Sequence, residues 1–418
     1  MANTIRACRS CGHADLQAIL SLGTTPLANA LLTEAQLNEP EQTYPLDLVF
    51  CAGCTLVQIT ETVPPEKLFR EYLYLSSFSD TLLQHAEALA THLTKTRQLN
   101  QDSLVVEVAS NDGYLLQFYQ RAGVPVLGIE PARNIAEVAS NRGILTVCDF
   151  FDEKLAERLR EETGRADVIH AHNVLAHVSG LNGFVRGLRR LLKDDGVIVV
   201  EVPYVKDLVD GCEFDTIYHE HLSYFSLTAL DALFTRNQLA IQSVERIPIH
   251  GGTLRVYAGH TIDHANHANK SANASSSVST RLNEEARSGL GHLDFYRDFG
   301  ARVEDLRREL VDLLQRLKSE GKRIAAYGAS AKGSTLLNYF QLGSDVLDFV
   351  VDRSTVKQGY YTPGTHLPIY APEKLLADMP DYVLLLTWNF ASEILAQQSE
   401  YRARGGRFIV PVPGVRVV

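Results

Sequence analysis

The chain has 418 residues, 45% hydrophobic and 22% charged, with 40 basic against 50 acidic side chains and a net charge of -10. That length exceeds what one core holds and predicts two or three domains. The acidic balance disfavours a general nucleic-acid-backbone binder, and the sequence lacks the run of about 18 apolar residues that a membrane span requires.

The opening MANTIRACRSCG lacks the apolar core of a signal peptide, so a cytoplasmic protein with reduced thiols is expected. Four of the six cysteines stand as Cys8-x2-Cys11 and Cys51-x2-Cys54, separated by 39 residues. Two such pairs supply four thiolates for tetrahedral Zn²⁺, and a full sulfur shell makes the metal structural rather than catalytic. Gly12 and Gly53 serve the tight turns. Between the pairs we expect an inserted loop, then a strand leading into Cys51. Cys148 and Cys212 read as core or loop residues.

From Ser103 onward, strand and helix patterns alternate: SLVVEVAS, VPVLGIE, ILTVCDF, ADVIHAHNV and GVIVVEVP as strands, with helices between them. This predicts a mostly parallel sheet. IQSVERIPI and GTLRVYAGH, joined by HGG, predict a closing hairpin, and polar HANHANKSANASSS (264–277) predicts a linker or surface loop. A long amphipathic helix over 293–322 leads to a second, smaller α/β layer ending at GGRFIVPVP. In chain order we expect a zinc-binding domain (1–75), an α/β core domain (76–285) and a smaller Rossmann-like domain (286–418).

In VEVASNDGYLL a strand closes on a turn containing Asn111, and Gly113 opens a helix, where open parallel sheets bind cofactors. Glu107 ends this strand. Glu130 in GIEP ends the next strand, placed for a ribose diol, and Asp149 and Phe150 end the third, placed to bracket an adenine. The Gly-x-Gly-x-x-Gly fingerprint is absent, because Ala109 and Asn111 occupy two of its positions. That favours S-adenosylmethionine (SAM), which carries no phosphates, over NAD; a purely structural strand-turn-helix explains the same pattern. YGASAKGST imitates a phosphate-binding loop but carries Ser334 after Gly333 where Lys is required, so ATP hydrolysis is not supported. A pyrophosphate at this helix start remains open, with Lys332, Arg353 and Lys357 as its cations and solvated surface charges as the bland alternative.

DTIYHEHLSYFS crowds Tyr218, His219, Glu220, His221 and Tyr224 into one loop, a density of proton-handling groups that packing rarely needs. Metal ligation and acid-base chemistry both fit it. Taken with the cysteine pairs, VEVASNDG, HNVLAHV, HGGTLRVY and YGASAKGST, it resembles the sugar C-methyltransferase family over nearly the whole chain. The resemblance implies a zinc domain, a class I SAM-methyltransferase core of Rossmann-like form and a C-terminal Rossmann-like domain.

It also implies methylation at C-3 of a nucleotide-linked 4-keto deoxysugar, with thymidine diphosphate the first carrier to consider. His221 would be the base that removes the C-3 proton, Tyr218 and His177 donors near the enolate, and Glu220 an orienter of His221 or a sugar ligand. Asn173 goes with the cofactor, and Tyr74 and His250 go with the substrate. His219 has no role in this reading. The chain is expected to act as a monomer or simple homo-oligomer, without nucleic acid or membrane partners. Sugar O-methylation and a zinc-knuckle nucleic-acid-binding protein with a vestigial methyltransferase fold are the competing readings.

Overall fold

The computed structural model describes residues 3–71, 75–249, 251–261 and 272–418. Its largest sheet has seven strands in the order Leu239–Ile247, Thr253–His260, Leu192–Pro203, Ala166–His172, Val105–Val108, Val126–Ile129, Thr146–Val147. Only Thr253–His260 runs against its neighbours, Leu192–Pro203 and Leu239–Ile247. The other pairs are parallel. Chain direction across the sheet reverses between Val105–Val108 and Ala166–His172, so a crevice opens at the carboxyl ends of these two strands. The strands VVEV and GVIVVEV are β-branched and buried, as helix-covered parallel strands must be. This is the expected mostly parallel core sheet, including the closing hairpin.

The N-terminal sheet is antiparallel, with strands Leu16–Pro26, Thr43–Cys51 and Val57–Ile59. Its fourth strand is Ser223–Tyr224, the tail of the His/Tyr-rich loop, which pairs with Val57 and Gln58. Much of the expected inserted loop is therefore strand: Leu16–Pro26 zips against Thr43–Cys51 and carries the two cysteine pairs to one end. The C-terminal sheet orders Ile369–Tyr370, Val350–Val351, Ile324–Tyr327, Tyr382–Leu385, Arg407–Val410 and Arg416–Val417, parallel except for the last pair. Its helix Ala331–Phe340 follows Ile324–Tyr327 directly.

The expected loop over 264–277 needs correction in its second half. Ala272–Ser288 is a helix, because Ala- and Ser-rich sequence has adequate helix propensity and an apolar stripe, Val278 and Leu282, follows to pack on the core. Glu285 on that helix accepts from the Leu227 and Thr228 N–H groups, capping a neighbouring helix, Leu227–Arg236. One apolar cluster runs from Leu46 and Leu48 through Val200 and Phe214 to Phe340 and Leu384, so these three sheets, the larger ones among the described residues, share a core. Among the described residues no helix is long and apolar enough to cross a membrane.

Candidate active site and metal centre

The four cysteines converge. Sγ atoms of Cys8 and Cys54 lie 3.5 Å apart, those of Cys11 and Cys51 3.5 Å, and those of Cys51 and Cys54 3.8 Å, all four within 4.8 Å of one another. A tetrahedron with Zn–S bonds of about 2.3 Å has edges of about 3.8 Å, so the cluster fits zinc and its sulfur shell leaves no open position. Each pair sits on a tight turn in which a backbone N–H closes on the first cysteine's carbonyl: Gly12 to Cys8, and Thr55 to Cys51. Gly12 needs its glycine, with φ at +75°. Gly53 needs its own for space, since a Cβ there would come within 2.9 Å of His13.

A cavity of about 700 Å³ opens at the crevice of the seven-stranded sheet and is walled by all three sheets' domains. Asn111, Glu130, Asp149, Phe150 and Asn173 share one wall. The turns that carry these residues are held in unusual backbone: Ala109 and Asn111 after Val105–Val108 have φ of +56° and +49°, and Asn173 after Ala166–His172 has φ of +51°. Left-handed backbone costs a non-glycine residue roughly 1–2 kcal/mol and concentrates at functional sites. The glycine-loop geometry is thus kept without two of its glycines. Gly113 cannot change, because a Cβ at φ +78° would meet Ile144 at 2.8 Å.

Glu130 accepts from the N–H groups of Asn111 and Ala132, each at 2.9 Å, and burial pushes its carboxyl up to about 7 against these two bonds. Each of its oxygens keeps a free lone pair for a diol. The donor set therefore fits SAM. Glu107 lies behind the turn, fully buried and off the cavity wall, its carboxyl pushed well up by burial and then by Asp112. Asp149 faces Arg158 at 4.0 Å, and the Arg70 guanidinium lies 4.5 Å over the Phe150 ring.

His172 is a wall residue that the sequence reading missed. Its Nε2 lies 3.1 Å from His170 Nδ1, whose ring is in turn bonded to Tyr119, and its Nδ1 lies 3.8 Å from Glu201, which Arg255 and His85 hold. The alternation His-Ala-His in a buried strand was the available signal, since period two puts both rings on one face.

The His/Tyr-rich loop forms the wall facing the cofactor crevice. His221 Nδ1 lies 2.9 Å from the Thr216 carbonyl, and Nε2 lies 2.9 Å from Tyr218 Oη. A carbonyl only accepts, so Nδ1 carries the ring proton and Nε2 offers its lone pair to the phenol. Burial, then His177 and Lys332, holds His221 well below the usual histidine range, so the ring is neutral. His177 stands edge-on at 4.8 Å and is pulled down to about 4 by burial, with the backbone at Glu220 and Asn173 opposing. The two rings and Tyr218 all line the cavity.

Glu220 does not orient His221. Both ring nitrogens are taken, and Glu220 turns instead to Asn29 of the N-terminal sheet, whose amide donates to it at 2.6 Å. Burial pushes the Glu220 carboxyl up to about 7. A folded value above the unfolded one means stability fully present below about 4.5 and lost as pH rises through about 7. Glu220→Gln keeps an acceptor for Asn29 and does not titrate. Denaturant unfolding should show the variant gaining on the parent between pH 5 and 8, by about 3 kcal/mol at the upper end. A pH-independent gap would mean the carboxyl is ionised throughout.

His219 also turns to the N-terminal domain, with Nε2 3.1 Å from the Pro45 carbonyl and the ring against Tyr44. It is a packing residue of the domain interface. Tyr74 and His250 lie outside the described residues. The three cations expected together are not assembled: Lys332 and Lys357 line the cavity, whereas Arg353 is exposed and pairs with Glu393 at 3.5 Å. Lys357 donates to the Ala329 carbonyl at 2.9 Å. Asn29, Thr216 and the Asp215–Trp388 bond at 2.7 Å were missed as well. Asn29, a lone amide in the apolar run PLANALL, was the one with a signal.

Comparison with known proteins agrees with this architecture. Family models match a zinc binding domain at 8–69, a methyltransferase domain at 82–244 and a C-methyltransferase C-terminal domain at 248–413. The C-methyltransferase NovU of Streptomyces niveus is 37% identical over 414 residues, 99% of this chain and 97% of NovU. The uncharacterized methyltransferase YcgJ of Bacillus subtilis (strain 168) is 25% identical over 206 residues, 43% of this chain and 78% of YcgJ. Among solved structures, PH0226 from Pyrococcus horikoshii OT3 covers 47% of this chain and 98% of its own at 13% identity, with a TM-score of 0.36. Domain order, four-cysteine centre, sheet topology and full-length similarity to NovU lead to one conclusion: the chain belongs to the C-methyltransferase family, SAM-dependent enzymes with an N-terminal zinc-binding domain.

Proposed function

We propose that the protein transfers the methyl group of SAM to C-3 of a nucleotide-linked 4-keto deoxysugar through a base-generated enolate. The observation that carries this reading is the Tyr218–His221 pair. It is a neutral imidazole of fixed tautomer, capped by a phenol, on the cavity wall facing the cofactor crevice. Carbon methylation needs a carbanion equivalent, and a ketone at C-4 acidifies the C-3 hydrogen. His221 Nε2 accepts that proton once the Tyr218 hydroxyl rotates off it toward the substrate oxygen. His177, which lines the cavity edge-on to His221, is a further donor or acceptor for the sugar.

Glu220 and Asn29 form a polar pair suited to a sugar hydroxyl or amine, and Tyr74 and His250 belong to the sugar by family resemblance. Lys357 on the cavity wall is the candidate for the diphosphate, joined by Arg353 if that exposed side chain swings off Glu393 toward the cavity. O-methylation is disfavoured because it needs no C–H base and the full-length relative is a C-methyltransferase.

The test is a panel of nucleoside-diphosphate-linked 4-keto deoxysugars incubated with SAM and read by mass spectrometry. Gain of one methylene mass on a 4-keto sugar, with the new methyl on carbon by NMR, supports the reading. Methylation of only the reduced, 4-hydroxy sugars, or on oxygen, sinks it.

A further inference from the structure

The first turn of the helix Ala331–Phe340 reaches the cavity from the C-terminal sheet. Ser330 caps it, accepting from the Gly333 N–H at 3.1 Å, and Ser330, Ala331 and Lys332 all line the wall. Three contacts fix this helix and its sheet on the catalytic loop. Thr335 Oγ1 donates to the Ile217 carbonyl at 3.3 Å, the Trp388 indole donates to Asp215 at 2.7 Å, and Phe340 stacks on Phe214 with ring centres 5.0 Å apart.

The Lys332 ammonium is held 4.6 Å over the centre of the Trp388 ring. Its Nζ is buried and has no hydrogen-bond partner among the described residues. Buried donors left unpaired are rare and call for an acceptor. Glu213 and Asp215 lie on its loop side, and its charge offsets part of the upward push that burial gives both carboxyls. On the cavity side its charge reaches His221, whose other neighbours are Tyr218, His177, the Thr216 carbonyl and, at 6.2 Å, the Tyr224 ring.

We propose, resting on the reaction given above, that Lys332 is a catalytic residue. Its ammonium, backed by the positive end of its helix, holds the sugar O-4 as that oxygen becomes an enolate, rather than a phosphate of the nucleotide. When His221 Nε2 takes the C-3 proton, the C–H electron pair becomes the C-3–C-4 π bond and the carbonyl π pair moves to O-4, against the Lys332 N–H groups. When C-3 then takes the methyl group, the S–C pair stays with sulfur and the O-4 pair returns to the carbonyl. The same positive charge disfavours protonation of His221 before substrate arrives, keeping the base ready. The C-terminal domain thereby contributes charge to the chemistry as well as a wall.

Two measurements separate this from a diphosphate clamp. In D₂O without SAM, Lys332→Met should slow C-3 hydrogen exchange in a saturating 4-keto sugar nucleotide by about 100-fold or more. The Kd for thymidine or uridine diphosphate should change by less than about threefold, and Lys332→Arg should restore most of the exchange. Unchanged exchange with a tenfold or greater weakening of diphosphate binding, by order of magnitude, would assign Lys332 to the phosphates and overturn the proposal.

The second measurement needs no substrate. In ¹³C-histidine-labelled protein, with the His221 signal assigned by its loss in His221→Asn, His221 should titrate at higher pH in Lys332→Met than in the parent. An unchanged His221 titration would overturn the claim that this charge acts at the base. If the parent exchanges hydrogen with no member of the sugar panel, the proposed reaction fails, and the histidine titration still decides whether Lys332 acts on His221.

Discussion

His221→Asn should lower the rate of methyl transfer by about 10²–10⁴-fold at saturating substrate, with KM little changed. Asparagine can still donate to the Thr216 carbonyl, so the loop keeps its local bond, but its amide offers no basic lone pair toward Tyr218 or the substrate. The loss therefore reads the base and not the fold, which a thermal unfolding scan of the variant checks. The pH dependence has a definite sign. The folded-state value of His221 lies well below the ordinary 6.5, so the ring stays unprotonated as pH falls from 8 to about 6. An acid limb of kcat centred near 6.5 and absent from His221→Asn would contradict a neutral, buried base.

Removal of zinc should be at least as damaging, although the metal takes no part in the chemistry. Structural Zn²⁺ supplies on the order of 10 kcal/mol to small domains that fold around it. Here the module it closes also supports the His/Tyr-rich loop: Val57 and Gln58 pair with Ser223–Tyr224, and Asn29 holds Glu220. Arg236 and Asn182 of the methyltransferase core bind the Ser10 carbonyl between the first two cysteines, so loss of the metal also loosens a core contact. Chelation, or Cys51→Ser, should lower Tm by about 10 °C or more and abolish transfer, and metal analysis should find one zinc per chain. Full activity in metal-free protein would refute the structural coupling.

Much of this arrangement is legible in the sequence because it is local. Cys-x2-Cys twice, alternating strands and helices, and Tyr218, His219, Glu220 and His221 in one loop are all short-range patterns. What was not legible depends on distance or on backbone. Asn29 and Glu220 are 191 residues apart, so no local pattern joins them. The group that orients His221 is the carbonyl of Thr216, and a carbonyl has no residue signature. Side chains alone point to Glu220.

Ala109 in place of a glycine pointed away from a glycine loop, yet the backbone adopts the left-handed turn regardless, because the packed strand and helix on either side dictate it. His219 turned out to face Pro45, in a domain that the loop sequence does not mention. Lys332 and Arg353 look alike as cations near a Gly-rich turn, but the ammonium of Lys332 is buried over Trp388 and Arg353 sits in solvent with Glu393.

The most direct test of the account is hydrogen exchange at C-3 of a nucleotide-linked 4-keto deoxysugar in D₂O, followed by proton NMR with the enzyme present and SAM withheld. The account predicts loss of the C-3 proton signal with the parent protein and none above background with His221→Asn. Methyl transfer to carbon by a parent enzyme that shows no such exchange in that complex, or undiminished exchange in the variant, would contradict deprotonation by His221.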